Sequence, residues 1–224
     1  MCGRLSIAVS PDAIEARFGA RPPPALAPRY NVAPGQPLAA ITADDRDRVD
    51  PLEWGLVPAW ADDPGSGHIN ARAETIAEKP TFRNAYANRR CLVLADGYYD
   101  WADQRGRGTR PYRFVRPDRD PFAMAGIWER REAGGEATET VAVVTTEPND
   151  VVEPIHHRMP VILDRSEEDR WLDGEGTDAL LDPYPEDDLE AYPVSEAVND
   201  PANDSPAVIE EVDPPEQTGL GEFG

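Results

Sequence analysis

Residues 90–101 read Arg-Cys-Leu-Val-Leu-Ala-Asp-Gly-Tyr-Tyr-Asp-Trp. Five of the first six residues have apolar side chains, three of them branched, and Asp96-Gly97 follows as a turn signal. This pattern predicts a buried strand over 90–95. The next residues bring aromatic side chains and the Asp100 carboxylate close behind that strand, which by itself indicates no more than an ordinary turn.

Similar runs recur on both sides of this stretch. Short β-branched or aromatic segments bounded by Gly, Pro or Asp predict further strands at 4–9, 38–42, 48–54, 112–116, 122–128 and 140–145. Helices are predicted at only three places: after Ser10, with Pro11 in the first turn; over 74–88; and over 166–172, with Ser166 as N-cap. Many strands and few helices, without βαβ alternation, predict an α+β domain built on antiparallel sheets.

The charge is large and unevenly distributed. The chain has 224 residues, the size of one domain, and its 22 basic and 43 acidic side chains give a net charge of −21. Residues 165–224 hold 19 of the acidic side chains, whereas 72–131 contain 13 basic and 8 acidic ones. Lys79 is the only lysine beside 21 arginines, which suggests adaptation to a high-salt cytoplasm; an acidic tail combined with codon bias is the alternative. At high salt the repulsion is screened, so the net charge does not exclude a nucleic-acid ligand.

Composition also limits the class of protein. No apolar run approaches the length of a membrane span, and the N-terminus lacks the apolar core of a signal peptide. We therefore expect a soluble, cytoplasmic protein. Two cysteines and three histidines without paired ligand spacing predict no metal site, and no phosphate-binding glycine motif is present.

The first chemical candidate is Cys2. Methionine removal is favoured before a small residue, and it would leave Cys2 with a thiol and a free α-amine on adjacent carbons. This amine, with an ordinary pKa of ~7.7–8.0, is partly neutral at physiological pH. It can form a Schiff base with an aldehyde, after which the thiol closes a five-membered thiazolidine. Alternatively, the thiol attacks an acyl carbon with the amine as base, or Cys2 is a buried structural residue.

Two other segments hold polar side chains in suggestive positions. Asn70, Arg72 and Glu74 alternate, so in extended geometry all three project from one face, and an arginine there suits bidentate phosphate recognition. The alternative is a capping and salt-bridge cluster at the start of the predicted 74–88 helix. His156 and His157 lie on a predicted loop just before the apolar run 161–163.

Seven motifs, taken together and in order, resemble one protein family. They are MCGR at 1–4, RYNVAPG at 29–35, WG at 54–55, INARAET at 69–75, CLVLADGYYDW at 91–101, IHHRMPVIL at 155–163 and YPVSEAVN at 192–199. Their combination resembles the SRAP family, the SOS-response-associated peptidase-like proteins that process abasic sites. The resemblance implies a single SRAP domain over 1–212, with a barrel-like antiparallel sheet core flanked by a few short helices. Residues 213–224 are expected to form a mobile acidic tail.

The resemblance also implies covalent capture of abasic sites in single-stranded DNA, without a cofactor. Cys2 matches the crosslinking residue, Asn70 the residue that orients the sugar or the amine, and His156 the acid/base residue, whereas His157 occupies a variable position. Asp100 stands where the family usually has Glu, so we expect it to keep an acid/base role with altered efficiency. The residues expected to contact DNA are Arg4, Asn31, Pro34, Trp60 and Arg72. A lysine that the family often carries after V-S-x-x-V is absent, which weakens the expectation of a phosphate contact there.

Several alternatives stay open at this level. The family's peptidase label implies a hydrolase that removes its own Met1, and removal by a methionine aminopeptidase is the alternative. AP-lyase cleavage needs only the Schiff base and β-elimination. A second hypothesis is an N-terminal-nucleophile amidohydrolase in which Cys2 acylates. A third is a non-covalent single-stranded DNA-binding module in which Cys2 is inert. A monomer is the default oligomeric state.

Overall fold

The computed structural model describes residues 2–61, 65, 67–104, 106, 108–133 and 135–213. The predicted tail, apart from Asp213, therefore lies outside the described residues. In chain order the strands and α-helices are β1 (Arg4–Ile7), α1 (Pro11–Phe18), β2 (Arg29–Val32), β3 (Pro37–Thr42), β4 (Asp45–Trp54), β5 (Asn70–Arg72), α2 (Arg83–Asn88), β6 (Arg90–Ala95), β7 (Gly97–Asp103), β8 (Thr109–Val115), β9 (Phe122–Ala133), β10 (Glu136–Thr146), β11 (Met159–Pro160), β12 (Ile162–Leu163), α3 (Arg165–Asp173) and β13 (Glu190–Pro193).

Five strands close into a barrel. β4, β3, β6 and β9 pair in that order as antiparallel neighbours, and β10 pairs with β9 on one side and with β4 on the other. The β4–β10 contact is parallel, whereas the other four are antiparallel. The prediction of an α+β fold with a barrel-like, mainly antiparallel core is confirmed.

A second, five-stranded sheet covers one side of the barrel. Its order is β13-β8-β7-β1-β2, and the pairs are antiparallel. Side chains from both sheets share one buried cluster, with Leu5, Val32 and Tyr98 from the second sheet and Trp54 and Val93 from the barrel. Burial on both faces explains why β1 carries four consecutive buried residues. The N-terminal segment is thereby fixed between the two layers.

The stretch at 90–101 connects the two sheets. β6 belongs to the barrel, β7 belongs to the second sheet, and only Asp96 separates them. The sequence after Asp96 was predicted to be a turn, but it continues as a strand, because β1 and β8 pair with it on both sides. A Cβ at Gly97 would lie 2.7 Å from Nε of Arg113, so this position needs a glycine for close approach.

The helix predictions hold in part. α1 begins after Ser10, whose side chain accepts a hydrogen bond from the Ala13 amide, as predicted. The predicted helix over 74–88 is wrong in its first half, because Pro80 cannot supply an amide hydrogen to a helix interior; only Arg83–Asn88 is α-helical. α3 starts one residue earlier than predicted, with Asp164 as N-cap and Glu167 completing a capping box.

The α-helices in the part of the chain that the structure describes are short. No described helix has both the length and the apolar composition needed to cross a membrane.

Candidate active site

Cys2 lies directly before β1 and is fully buried, in the cluster between the barrel and the second sheet. Asn70, at the start of β5, donates a hydrogen bond from Nδ2 to the Cys2 carbonyl oxygen at 2.8 Å. β5 is held in place by its parallel pairing with β10 of the barrel. Oδ1 of Asn70 is buried and has no hydrogen-bond partner among the described residues. Asn70 therefore fixes the backbone of Cys2 and keeps one acceptor atom available.

The Cys2 thiol is protonated at neutral pH. Burial, and to a smaller extent the charge of the neighbouring Asp100 carboxylate, raises its pKa from 9.0 to about 12. A neutral thiol is a poor nucleophile towards an acyl carbon. Reaction at this sulfur therefore needs a strong electrophile close by or a group that stabilises the thiolate.

Asp100 and His156 form the next pair. Asp100 lies on β7 and is 3% exposed, and its Oδ2 is 3.6 Å from Nδ1 of His156. Burial raises the pKa of Asp100 from 3.8 to about 6, and burial lowers the pKa of His156 below its ordinary 6.5. The predicted residues Cys2, Asn70, Asp100 and His156 are thus brought together from four separate segments.

The loop that carries His156 is fixed by Arg158, which sequence reasoning did not single out. Nδ1 of His156 accepts a hydrogen bond from the Arg158 amide at 3.0 Å and lies 3.2 Å from the Arg158 carbonyl oxygen. The contact with the amide is the shorter one, and because an amide can only donate, it favours the neutral imidazole with its ring hydrogen on Nε2. The Arg158 guanidinium donates to both carboxylate oxygens of Glu74, at 2.6 and 3.0 Å, and to the carbonyl oxygen of Thr145 at 2.6 Å. Glu74 therefore belongs to a salt bridge, but its partner is Arg158 and not a residue of the 70–74 cluster that the alternative interpretation described. His157 is exposed and stacks on the His156 ring at 4.3 Å.

Three of the predicted DNA-contacting residues are exposed. Arg72 lies at the end of β5, next to a cavity of about 530 Å³ that is also lined by His157 and Arg158. Pro34 lines a separate cavity of about 560 Å³, and Trp60 is 67% exposed. These side chains are accessible to a ligand.

Arg4 and Asn31 are buried, unlike these exposed residues, and the expectation that they contact DNA stays a prediction. Asn31 is fully buried and donates from Nδ2 to three carbonyl oxygens, those of Val198, Asp200 and Asn203. Its Oδ1 accepts a hydrogen bond from Arg4 at 2.7 Å, and the Arg4 guanidinium, 9% exposed, also donates to the Val198 carbonyl. The Asn31 amide is fully used within the protein, whereas Nε of Arg4 is buried without a hydrogen-bond partner among the described residues. The contacts of Asn31 are those of a structural residue.

Within the described ranges, no three His, Cys, Asp or Glu side chains gather closely enough to hold a metal ion. Cys91, the second cysteine, is fully buried, and burial raises its thiol pKa well above its ordinary value. Its site at the start of the β6 core segment is that of a packing residue.

Comparison with known proteins assigns the family. Residues 1–201 match the family model described as SOS response associated peptidase (SRAP), so the chain belongs to the SRAP family. It is 41% identical over 222 residues to the abasic site processing protein YoqW of Bacillus subtilis (strain 168), covering 94% of this chain and 99% of that protein. It is 35% identical over 198 residues to the abasic site processing protein HMCES of Gallus gallus, covering 75% of this chain and 59% of that protein.

The fold is shared with a solved structure. A protein from Bacteroides thetaiotaomicron, determined by X-ray crystallography, superposes with a TM-score of 0.85 at 29% identity, covering 94% of this chain and all of that one. The sequence motifs and the three-dimensional structure thus lead to the same family.

Proposed function

We propose that this protein processes abasic sites in single-stranded DNA by forming a covalent crosslink through Cys2. After removal of Met1, the Cys2 amine adds to the aldehyde carbon of the ring-opened deoxyribose. Loss of one water molecule gives an iminium, and attack by the Cys2 sulfur on the same carbon closes a thiazolidine. The reaction joins an aminothiol to an aldehyde with release of water, so it needs neither an oxidant nor a cofactor.

The observation that carries this proposal is the convergence of three polar side chains on Cys2. Asn70 is hydrogen-bonded to its backbone, the Asp100 charge acts on its thiol, and His156 lies 3.6 Å from Asp100. An aldehyde adduct of a terminal amine suits this site, because terminal amines ordinarily have a pKa of ~7.7–8.0, whereas burial raises the pKa of the Cys2 thiol to about 12. The similarity to proteins named for abasic-site processing supports the same substrate.

Each neighbouring group has a defined task in this scheme. Asp100, ionised above about pH 6, removes the hydroxyl proton of the closed sugar as the ring opens. The Nε2–H group of neutral His156 donates a hydrogen bond to the sugar oxygen that develops negative charge. The free Oδ1 of Asn70 accepts from the Cys2 amine and directs its lone pair towards the aldehyde.

The DNA strand is held by exposed residues around the site. In this scheme Arg72 binds a phosphate, Trp60 provides a face on which a base can stack, and Pro34 contacts the strand at its separate cavity. Stacking and phosphate contacts tolerate any base, so we expect little sequence preference. The Schiff-base intermediate also permits β-elimination, so AP-lyase cleavage is a side reaction of the same scheme.

The test is a denaturing gel of protein incubated with single-stranded DNA that contains one abasic site. Mass spectrometry first confirms that the N-terminus is Cys2. Cys2→Ala, Asn70→Ala, Asp100→Ala and His156→Ala run beside the wild type, with Cys91→Ala as matched control because it removes the other buried thiol. Intact DNA without the abasic site controls for non-covalent binding.

We expect a slowly migrating band that resists denaturation and requires both the abasic site and Cys2. Cys91→Ala should form it at the wild-type rate, and His156→Ala should slow it by about 10²- to 10⁴-fold, the usual contribution of an acid/base group. Absence of the band in folded, Met-free wild type would overturn the proposal. Release of ammonia or a peptide from an amide substrate would instead establish the amidohydrolase alternative.

A further inference from the structure

Tyr98 is a buried tyrosine whose hydroxyl group makes no hydrogen bond within the described residues. The residue lies on β7, is fully buried, and stacks on Phe114 with ring centroids 4.6 Å apart and an interplanar angle of 8°. Buried tyrosine hydroxyls normally find a partner, because leaving one unpaired carries a free-energy penalty. A phenylalanine would keep the stacking without that penalty, so the hydroxyl calls for another explanation.

The position of Tyr98 points to the Cys2 site. Tyr98 and Asp100 are two residues apart on β7, so their side chains leave the same face of the sheet. Tyr98 also shares with Cys2 the buried cluster between the two sheets. Beyond the effect of burial, the charges of ionised Cys2 and Asp100 raise the pKa of Tyr98 well above its ordinary value. The phenol therefore stays protonated and lies within electrostatic range of both groups.

We propose that Tyr98 is a further catalytic residue, whose hydroxyl group donates a hydrogen bond to the Cys2 sulfur as the thiazolidine ring closes. The inference rests on the function proposed above and names the group that acts in its last step. In that step the S–H bond breaks and its proton leaves to water. The sulfur bonds to the iminium carbon, and the electron pair of the C=N bond returns to nitrogen. The hydrogen bond adds to that of the Arg4 amide and stabilises the negative charge that develops on the sulfur.

The test separates the two bond-forming steps. Tyr98→Phe removes only the hydroxyl group, and Tyr184→Phe is the matched control, because Tyr184 is a buried tyrosine of the same cluster whose hydroxyl accepts from Arg116. Sodium borohydride traps the Schiff base and reports amine addition. Crosslink formation without reductant reports ring closure.

We expect Tyr98→Phe to trap as much Schiff base as the wild type but to close the ring about 10- to 100-fold more slowly, the effect of losing a hydrogen bond to a charged group. Its melting temperature should not fall, since an unpaired polar group has been removed. Tyr184→Phe should close the ring at the wild-type rate. Ring closure by Tyr98→Phe at the wild-type rate would overturn the inference, and so would an equal loss in both steps together with a lower melting temperature.

A second measurement does not depend on DNA. In a Cys91→Ala background, alkylation by iodoacetamide at pH 8 to 9 reports the thiolate of Cys2 alone while the protein is folded. Tyr98→Phe should slow this alkylation by about 10-fold, and an unchanged rate would contradict the inference. If the wild type forms no crosslink while this slower alkylation is present, the proposed DNA reaction fails but the contact between Tyr98 and the sulfur stands.

Discussion

Nδ1 of His156 lies 3.6 Å from Oδ2 of Asp100 and accepts a hydrogen bond from the Arg158 amide at 3.0 Å. The amide can only donate, so it favours the neutral imidazole, in line with the lowered pKa of His156. In this neutral form Nδ1 of His156 carries no hydrogen, so it cannot donate a hydrogen bond to the Asp100 carboxylate. The charge state of this pair consequently changes through Asp100, whose pKa is about 6.

The rate of crosslinking should therefore rise in two steps with pH. The first step, near pH 6, follows the ionisation of Asp100 as it becomes a base. The second follows the Cys2 amine, with an ordinary pKa of ~7.7–8.0. Rates measured from pH 4.5 to 9 on Asp100→Asn should lack the first step and keep the second. A step near pH 6 that survives in Asp100→Asn would assign it to another group.

Asp100→Asn should also stabilise the fold at neutral pH. The pKa of Asp100 is raised from 3.8 to about 6 on folding, so the folded state holds this proton more tightly than the unfolded one. The contribution of this group to the free energy of unfolding is greatest below pH 3.8. Up to about 3 kcal/mol of it is lost as the pH rises through 6, because each pKa unit corresponds to about 1.4 kcal/mol. An asparagine at position 100 stays neutral at every pH, so the variant does not lose this contribution. Urea denaturation should show a difference between variant and wild type that grows from pH 4.5 to 7.5; a difference constant with pH would contradict the expectation.

Asn31→Ala should lower the stability of the fold, and any effect on DNA binding should follow from that loss. Asn31 is fully buried and hydrogen-bonded to Arg4 and to three carbonyl groups within 198–203. Truncation leaves these groups unpaired, so we expect a loss of about 2–4 kcal/mol in the free energy of unfolding. Asn88→Ala, at an exposed helical position, should change it by less than about 0.5 kcal/mol. Unchanged stability of Asn31→Ala combined with weaker DNA binding would restore a DNA-contacting role.

Arg72→Ala should weaken binding to single-stranded DNA of any sequence. One phosphate contact on a single strand contributes about 0.7 to the slope of log affinity against log salt, so the slope should become shallower by about that amount. Arg48→Ala makes the same charge change at an exposed position on β4, where Arg48 pairs with Asp50, and should leave the slope as it is. Fluorescence anisotropy at several salt concentrations measures both. An equal effect of the two variants would indicate bulk charge instead of a contact.

Trp60→Ala should reduce affinity without reducing stability. Trp60 is 67% exposed, so the fold loses little packing, whereas a stacked base is worth about 1–3 kcal/mol. Trp60→Phe, which keeps an aromatic face, should retain most of the affinity at the same melting temperature. Loss of affinity in both variants, or in neither, would argue against stacking.

Much of the fold was predictable because its signals are local. The strand at 90–95 and the helix after Ser10 depend on apolar runs, turn residues and a side-chain cap, all of which neighbouring residues determine. The helix predicted over 74–88 failed where Pro80 interrupts it. β7 was missed because its strand conformation comes from pairing with β1 and β8, which lie far away in the sequence.

The candidate site was predictable as a set of residues but not as an environment. Motif order identified Cys2, Asn70, Asp100 and His156, and the structure brings them together. The structure also buries Asn31, which the same motifs had placed among the DNA contacts. This burial comes from packing against residues 198–203, which lie far away in the sequence. No local feature of the sequence predicts the unpaired hydroxyl of Tyr98, since tyrosine and phenylalanine are both common at buried positions of a strand.

The hydrogen bonds from Arg4 on β1 and Asn31 on β2 to the segment 198–203 join parts of the chain that are synthesised far apart in time, since 194 positions separate Arg4 from Val198. Until the segment 198–203 has left the ribosome, the N-terminal segment lacks these contacts. Under the function proposed above, a chain that stops before residue 198 would present a less restrained aminothiol to free aldehydes, whereas a chain that contains this segment holds its N-terminal residues in place.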